Sequence, residues 1–474
     1  MKAFTEPLLS LAGFEEMTKT AEKSSGLISV TGCIDAQKSQ MIYAFGGHRK
    51  NKLIVTFGEQ KAKELYDEYS FFDKEVVYYP SKDVLFYQSD IRGNLLTAER
   101  IRALKAIREQ ERVTLVTTFD ALMNTMAPIE KMWENVLTLE QGQLLDLKEI
   151  QAALIRMGYE KEYQVQTMGQ FSVRGGILDV FPLTEENPIR IELWGDEIDT
   201  IRYFDCESQK SIENIDRVSI YPAAELVLSD EEKAGGIEKL KAEAKRVSDK
   251  LRKQMKTEEA HRVTVMADEL TEEWGELSMY AGMDAFLSYF FDERVGLLDY
   301  FKPSDSLIFF DELTRCTEQG KLTETEFSES MKQRLAMGYI LPGQMNGLFT
   351  EKEIVAKLEK YSCIALAALD NKANGLHQLG SYGIHCQSVS PYNNSFELLI
   401  KDLKRYKKNG YRVILLSGSR TRAKRLSEDI TDQGITCFYT ENYDHELFEG
   451  QIMVCYGKVR RGFEYPILKF AVIT

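Results

Sequence analysis

The chain has 474 residues, of which 43% are hydrophobic and 28% are charged, and its formal net charge is −14. Such a length exceeds what a single hydrophobic core supports, so we expect several domains. The acidic balance disfavours gripping duplex DNA as the chain-wide task, because phosphate neutralisation supplies most of the affinity of proteins that do so.

Seven cysteines and five histidines lie scattered along the chain, and no two cysteines form a CxxC pair. This spacing disfavours a zinc site and a disulfide framework, so we expect no bound metal. The cysteine pattern is typical of a protein of the reducing cytoplasm. Because no apolar run approaches the roughly 18 residues needed to cross a bilayer, we expect no membrane partner.

The predicted elements of residues 1–136 alternate between strands and helices. Amphipathic stretches separate four short apolar runs, at Leu27–Val30, Lys52–Thr56, Val76–Tyr79 and Val113–Thr117. Alternation of this kind predicts a parallel sheet that is covered by helices on both faces.

Residues 137–225 have a different pattern, in which apolar and polar residues alternate with a period of two. Turns at Gly175-Gly176 and Gly195-Asp196 separate the strand candidates. These candidates are Phe171–Arg174, Ile177–Phe181, Ile189–Trp194, Ile198–Phe204 and Arg217–Tyr221. The pattern predicts a small antiparallel α+β domain inserted into the α/β domain.

Residues 226–352 are predicted to complete the first domain. The stretch from Glu231 to Glu276 is charge-rich and helical, which favours a solvated helix pair over a functional surface, and Leu307–Phe310 is a further strand. Residues 353–474 are predicted to form a separate α/β domain, with strands at Ile364–Leu369, Arg412–Leu416 and Ile452–Tyr456.

The loop after the first strand has most of a phosphate-binding motif. The motif G-x-x-x-x-G-K-[ST] cradles nucleotide phosphates between a strand and a helix. This chain has Gly32, Lys38 and Ser39 at the required spacing, but Gln37 replaces the second glycine and Asp35 adds a carboxylate. Glycine at that position permits a close approach of the backbone to phosphate that a side chain obstructs.

The segment Leu307–Glu312 is also consistent with descent from a nucleotide-binding domain. The apolar strand ends in Asp311-Glu312, where nucleoside triphosphatases keep the carboxylates that hold magnesium and activate water. Two interpretations follow, ATP binding or a vestigial site whose strand, loop and helix survive for folding. The substitution at Gln37 favours the vestigial site.

The strand Ile189–Trp194 alternates strictly, so its side chains point to opposite faces of a sheet. Arg190 and Trp194 are therefore expected on the solvent face, and Arg174 lies in the neighbouring hairpin. Tryptophan and arginine dominate the energetics of protein interfaces. In the alternative interpretation, a loop covers Trp194 and Arg190 merely pairs with an acid. Ten acids against four bases between residues 182 and 220 favour a protein partner with basic contacts.

A local basic segment runs from Lys401 to Arg425, with ten bases and one acid. It is interpreted either as a contact for a nucleic-acid backbone or as the solvated faces of two helices that flank a buried strand. We favour the solvated faces.

Two runs, Phe171–Pro182 and Pro188–Asp199, resemble the UvrA-binding domain shared by UvrB and the bacterial transcription-repair coupling factors. The first domain is similar to the UvrB nucleotide domain with a decayed phosphate loop. Leu297–Pro303 leads into the acidic motif as in UvrB, and the tail Gly457–Thr474 resembles the coupling-factor domain that precedes the RNA-polymerase-interacting domain. The resemblance covers nearly the whole chain.

The resemblance implies a UvrB-like, P-loop-type α/β domain with a parallel sheet and an inserted antiparallel domain, followed by a second α/β domain. It also implies that Arg174, Arg190 and Trp194 engage UvrA, although the family often has phenylalanine at the last position. It further implies no catalytic residue and no cofactor in this segment. ATP and magnesium would belong to the missing motor of a longer parent protein, which would also contact RNA polymerase and duplex DNA.

The resulting expectation is a docking module that hydrolyses nothing and recruits UvrA to lesion-stalled RNA polymerase for nucleotide excision repair. Two alternatives stay open. One is a divergent UvrB-like ATPase that uses Lys38, Ser39, Asp311 and Glu312. The other is a DNA-binding repair subunit that uses residues 401–425.

Overall fold

The structure is a computed structural model that describes residues 1–45, 49–83, 94–276, 282–369, 375–392 and 395–474. The elements that precede the inserted domain follow the predicted alternation. They are α1 (Lys2–Thr5), α2 (Phe14–Lys23), β1 (Gly26–Thr31), α3 (Asp35–Phe45), β2 (Asn51–Thr56), α4 (Glu59–Tyr69), β3 (Val77–Tyr79), α5 (Asn94–Glu109), β4 (Val113–Thr118), α6 (Phe119–Met123), β5 (Thr125–Met126) and α7 (Ile129–Glu134).

The inserted domain contains one helix and several short strands. They are β6 (Leu137–Glu140), α8 (Leu147–Arg156), β7 (Glu160–Lys161), β8 (Gln170–Arg174), β9 (Ile177–Val180), β10 (Ile189–Trp194), β11 (Glu197–Phe204), β12 (Ser211–Ile215) and β13 (Arg217–Ile220). Gly175 and Gly195 occupy the predicted turns with φ of +61° and +66°, a region that glycine enters without steric cost.

The chain then returns to the first domain. The elements there are α9 (Asp230–Lys253), α10 (Thr257–Glu276), α11 (Leu287–Phe290), β14 (Val295–Gly296), β15 (Ser306–Asp311), α12 (Leu313–Ala336), α13 (Glu351–Leu358), β16 (Ser362–Leu366) and β17 (Gln378–Gly383). The last part contains β18 (Gln387–Ser388), α14 (Phe396–Lys408), β19 (Arg412–Ser417), α15 (Arg420–Asp432), β20 (Phe438–Tyr439), β21 (Ile452–Tyr456), β22 (Phe463–Tyr465) and β23 (Phe470–Ile473).

The first domain is built on a seven-stranded parallel sheet in the order β17-β1-β16-β15-β2-β4-β3. Strands β16 and β17 flank β1, although they come late in the chain. The predicted boundary between residues 352 and 353 is therefore wrong, and the strand expected at Ile364–Leu369 belongs to the first sheet. An apolar run indicates a strand buried on both faces, but it does not indicate which strands lie beside it.

The inserted domain is a six-stranded sheet in the order β12-β11-β10-β9-β8-β7, antiparallel except for the pair β7–β8. One face packs its apolar residues against α8 around Leu154, Ile189 and Ile191, all fully buried. The opposite face has the polar residues, which include Arg174 and Arg190. The two ends of the domain meet because Leu137 pairs with Ile220.

The last domain has a six-stranded sheet in the order β18-β22-β23-β19-β21-β20, whose faces pack differently. Helices α14 and α15 cover the face that includes Val413 and Leu415. The other face, with Ile414 and Leu416, joins the core of the first domain. The predicted second α/β domain is therefore confirmed, but it is not separate, because it shares a core with the first domain. Alternation shows that a strand has two apolar faces, but not what covers each of them.

The predicted pair of charged helices is confirmed as α9 and α10, which pack along one another and against Phe286 and Phe290. Within the described ranges, no helix is both long and apolar enough to cross a bilayer.

Candidate protein-docking site

The polar face of the inserted sheet centres on Asp179, whose carboxylate holds both arginines. Its side chain is 2% exposed and lies directly opposite Arg190 in the strand register. Arg190 donates from Nε to Oδ1 at 2.7 Å and from Nη2 to Oδ2 at 2.9 Å. Arg174 donates from Nη2 to Oδ2 at 2.8 Å. Both guanidinium groups are therefore fixed before any partner arrives. The sequence reasoning did not single out Asp179, although its place between two arginines of adjacent strands is readable from the alternation.

Arg190 is less accessible than its place on the polar face predicted. Its side chain is 13% exposed, it donates to Oε1 of Gln209 at 2.8 Å, and it lies 4.3 Å from the centre of the Phe204 ring. Hydrogen bonding by Asp179 raises the pKa of Arg190 above its usual value. The expected free exposure of Arg190 is wrong, since it pairs with an acid as the alternative interpretation held. Arg174, at 36%, keeps more of its side chain in solvent.

Glu192 continues the polar face of β10 and forms an ion pair with Arg202 of the neighbouring strand. The second contact of this pair, from Arg202 Nη1 to Glu192 Oε2, measures 3.0 Å. Hydrogen bonding by Arg202 lowers the pKa of the Glu192 carboxyl. The face therefore presents two preassembled charge clusters side by side.

The expected exposure of Trp194 is confirmed, because 84% of its surface is accessible. The residue stands at the end of β10, next to the tight turn at Gly195 and opposite Glu197. Leu144, 75% exposed, bridges the other side of Glu197. Directly paired residues point to the same face of a sheet, so Leu144 and Trp194 flank Glu197. Leu144 is a second apolar residue of this face that the sequence reasoning missed.

A groove of about 680 Å³ lies beside Trp194. Four carboxylates line it, those of Glu140, Glu197, Asp199 and Asp216, together with one arginine, Arg217. This arginine is already paired with Glu140 at 3.1 Å. The groove agrees with the acidic excess of the inserted domain and suits a basic group on a partner.

The predicted nucleotide loop has no open cradle. Helix α3 begins at Asp35, two residues before Gln37, so only Gly32–Ile34 connect it to β1. The amide N–H groups of Gly32 and Cys33 donate to the carbonyls of Ala368 and Ala367 at 3.2 and 3.0 Å. These amides therefore do not point at a phosphate position. Gly32 has φ +78°, and a Cβ added there would lie 2.0 Å from the Ile384 carbonyl oxygen.

Lys38 is fully buried and bound to three carboxylates. Its Nζ lies 2.5 Å from Asp311 Oδ1, 2.9 Å from Glu312 Oε1 and 3.1 Å from Asp35 Oδ1. Burial alone lowers the pKa of a lysine, but the carboxylates of Asp311 and Glu312 together more than offset this and hold the pKa of Lys38 above its usual range. The structure thus brings together the predicted Lys38, Asp311 and Glu312. Lys38 therefore binds the two carboxylates, Asp311 and Glu312, that would hold magnesium in a nucleoside triphosphatase.

The remaining motif residues are also enclosed. Gln37 is 0% exposed and accepts a hydrogen bond at 3.0 Å from the hydroxyl of Tyr465, which belongs to the last domain. Ser39 is 2% exposed, and among the described residues its hydroxyl has no hydrogen-bond partner. A cavity at the end of β1, beside Leu313 and Thr314, measures about 20 Å³. This volume suits about one water molecule and is far too small for a triphosphate.

The basic segment 401–425 divides between two helices and a strand, and several of its cations already have partners. Arg405 pairs with Asp402 at 3.2 Å and Arg420 with Glu441 at 3.6 Å. Lys407 and Arg412 donate to backbone carbonyls. This arrangement favours the interpretation as solvated helix faces.

Comparison with known proteins identifies the inserted domain. Residues 137–226 match the family described as the UvrB interaction domain. The chain is 27% identical over 423 residues to the transcription-repair-coupling factor of Bacillus subtilis, covering 89% of this chain and 35% of that protein. It is 26% identical over 457 residues to the factor of Staphylococcus haemolyticus, covering 94% and 38%. The chain therefore spans little more than a third of these relatives.

The comparisons confirm the resemblance to the N-terminal region of the transcription-repair coupling factors and connect the chain to DNA repair. The predicted fold class, an α/β domain with a parallel sheet and an inserted antiparallel domain, is also confirmed. The roles assigned to Arg174, Arg190 and Trp194 stay predictions.

Proposed function

We propose that this chain, which resembles the N-terminal region of the transcription-repair coupling factors and contains a UvrB interaction domain, is a docking module that recruits UvrA. The observation that carries the proposal is the 84% exposure of Trp194 on the polar face of that domain. An indole left in water beside fixed arginines is typical of an interface anchor.

The geometry of the arginine pair supports a tight interface. Asp179 holds Arg174 and Arg190 in one arrangement, so they lose less conformational freedom when a partner binds. Arg174 is partly exposed, so its remaining N–H groups can donate to a partner. Arg190 is mostly enclosed, and its role would be to stabilise the face. The acidic groove beside Trp194 would receive basic side chains of UvrA.

The same chain would not hydrolyse ATP. Lys38 is committed to Asp311 and Glu312, and the loop amides donate to Ala367 and Ala368. A nucleotide would have to break all of these contacts to bind. In the proposed parent protein, ATP and magnesium would act in a motor outside this chain. That motor would contact duplex DNA and displace RNA polymerase stalled at a lesion.

A pull-down with purified UvrA tests the docking proposal. The chain should retain UvrA, and a version in which a short linker replaces residues 138–219 should not. This excision leaves the paired Leu137 and Ile220 at the cut ends and keeps Glu225, whose carboxylate binds the buried Arg100. Equal retention of UvrA by both proteins, or retention by neither, would contradict the proposal.

Calorimetric titration with Mg-ATP tests the inactive nucleotide site. We expect no binding heat at micromolar concentrations. Micromolar binding that disappears in Lys38→Ala would instead favour the divergent ATPase.

A further inference from the structure

The distal half of α9 and the turn that follows it form a strongly basic surface in an acidic protein. From Lys239 to Lys256 there are eight bases and two acids, a net charge of +6 in a chain of net charge −14. All eight bases are exposed. We call them the α9 basic face, and they are Lys239, Lys241, Lys245, Arg246, Lys250, Arg252, Lys253 and Lys256.

The helix arranges these bases in two rows on the solvent-exposed part of its surface. The buried side packs Leu240, Ala244 and Leu251 against the core that α9 shares with α10. Residues three, four or seven apart lie along the same face of a helix. One row therefore contains Lys241, Lys245 and Arg252, and a second contains Arg246, Lys250 and Lys253. From Lys239 to Lys253 the face extends about 21 Å at 1.5 Å per residue.

Most of these cations form no ion pair with the residues that the structure describes. Within the described residues, Lys239 pairs with Asp292 at 2.9 Å and Arg252 with Asp249 at 4.0 Å. The other six form no ion pair with those residues. Acidic side chains also lie within and beside this face, at Glu243, Asp249, Glu258 and Glu259, and others lie towards the far end of the hairpin, among them Glu231, Glu232, Glu272 and Glu273. The eight bases outnumber the four nearby acids, so the turn end of the hairpin keeps a positive net charge.

We propose that the α9 basic face contacts the sugar-phosphate backbone of duplex DNA. Duplex DNA has one negative charge per about 1.7 Å of its axis, so a straight row of cations about 21 Å long can meet several phosphates. Lysines act as flexible point charges that suit phosphate contacts without reading the base sequence.

The composition of this face favours duplex DNA over a single strand or a protein as its partner. No aromatic residue occurs between Lys239 and Lys256, so the face lacks the stacking platforms on which single strands rely. The only large apolar side chain exposed there is Met255, in the turn. Protein interfaces have apolar cores depleted in lysine, so an acidic protein is a poorer fit than a duplex. This contact goes beyond UvrA docking and does not depend on it.

The test is fluorescence anisotropy of a labelled random-sequence duplex of about 25 base pairs, titrated with the 474-residue chain at several salt concentrations. The variant changes four lysines of the face to glutamine (Lys241→Gln, Lys245→Gln, Lys250→Gln, Lys253→Gln). A control with the same change in charge alters the other basic segment (Lys401→Gln, Lys404→Gln, Lys408→Gln, Lys424→Gln). All eight positions are exposed, so both variants should fold, which their melting temperatures check.

We expect the α9 variant to lose at least about tenfold in affinity at low salt and to reduce the slope of log K against log salt by about 2–4, since each phosphate contact contributes about 0.9. The control should lose less than about threefold. Three outcomes would overturn the proposal. They are no duplex binding by the unaltered chain, equal losses in the two variants, and tighter binding of a single strand of the same length.

Discussion

The carboxylate of Asp179 and the guanidinium of Arg190 form a two-pronged hydrogen bond across adjacent strands, with distances of 2.7 and 2.9 Å. Because the carboxylate is also bound by Arg174, a single buried acid orients both arginines of the proposed docking face. The affinity of the face for UvrA should therefore depend on a residue that a partner does not need to touch.

Asp179→Asn should weaken UvrA binding by roughly 1–3 kcal/mol, the range for a hydrogen bond to a charged group, and should lower stability by a similar amount. The amide cannot neutralise two guanidinium groups. Glu213→Gln, which removes an exposed acid of the same sheet, is the matched control and should change neither quantity. Calorimetry and urea denaturation give the two values. UvrA affinity unchanged in Asp179→Asn would show that the arginines need no positioning.

Trp194→Ala should weaken UvrA binding by roughly 1–4 kcal/mol, the range of interface hot spots, with little change in melting temperature. Tyr163 is also 84% exposed and lies in the same domain, so Tyr163→Ala is a control matched for exposure and domain. It should bind UvrA normally. Equal losses of UvrA affinity in the two variants would indicate non-specific hydrophobic binding. Unfolding of Trp194→Ala would mean that the indole is needed for the fold.

Lys38→Met should lower the free energy of unfolding by roughly 3–5 kcal/mol, because it leaves the buried carboxylate of Asp311 and that of Glu312 without their cation. Lys61→Met removes a lysine that pairs with Asp35 at the edge of the same cluster and should cost under about 1 kcal/mol. Urea denaturation at neutral pH compares them. Similar small losses would mean that the buried cluster contributes little to stability.

Gln37→Gly restores the phosphate-loop motif but should not restore nucleotide binding. The loop amides still donate to Ala367 and Ala368, and Lys38 still neutralises Asp311. Calorimetry with Mg-ATP should detect no heat at micromolar concentrations. Binding by this variant would show that the missing glycine alone had disabled the site.

Glu68→Gln should stabilise the protein at pH 8 by about 1–2 kcal/mol, allowing for partial exposure. Burial raises the pKa of Glu68 to about 7, so the folded state holds a proton that the unfolded state releases near pH 4.5. Stability is therefore lost as the pH rises from about 4.5 to 7, and the glutamine removes this loss. Melting temperatures at pH 5 and pH 8 provide the measurement. The exposed neighbour Asp67→Asn should show no such difference, and a parallel response of both variants would exclude Glu68 as the cause.

The sequence by itself determined the elements and their faces. Alternation in Ile189–Trp194 put Trp194 on the polar face, and the apolar strand ending in Asp311-Glu312 was assigned to the same ancestral nucleotide site as Lys38. The first feature depends only on neighbouring residues of one strand. The second depends on a known motif that consists of one strand, one loop and one helix. The position of β16 inside the first sheet was predicted wrongly, and the core shared by the two α/β domains was not predicted.

The tertiary structure decided which groups are free. Alternation places Arg190 and Trp194 on the same face and predicts that both are exposed. In the structure, Asp179 and the Phe204 ring enclose Arg190, whereas Trp194 is exposed at the end of the strand. The same holds for the basic residues, since on α14, α15 and α9 alike some find partners and others stay in solvent. Burial and pairing depend on residues far apart in the chain, which local periodicity does not encode.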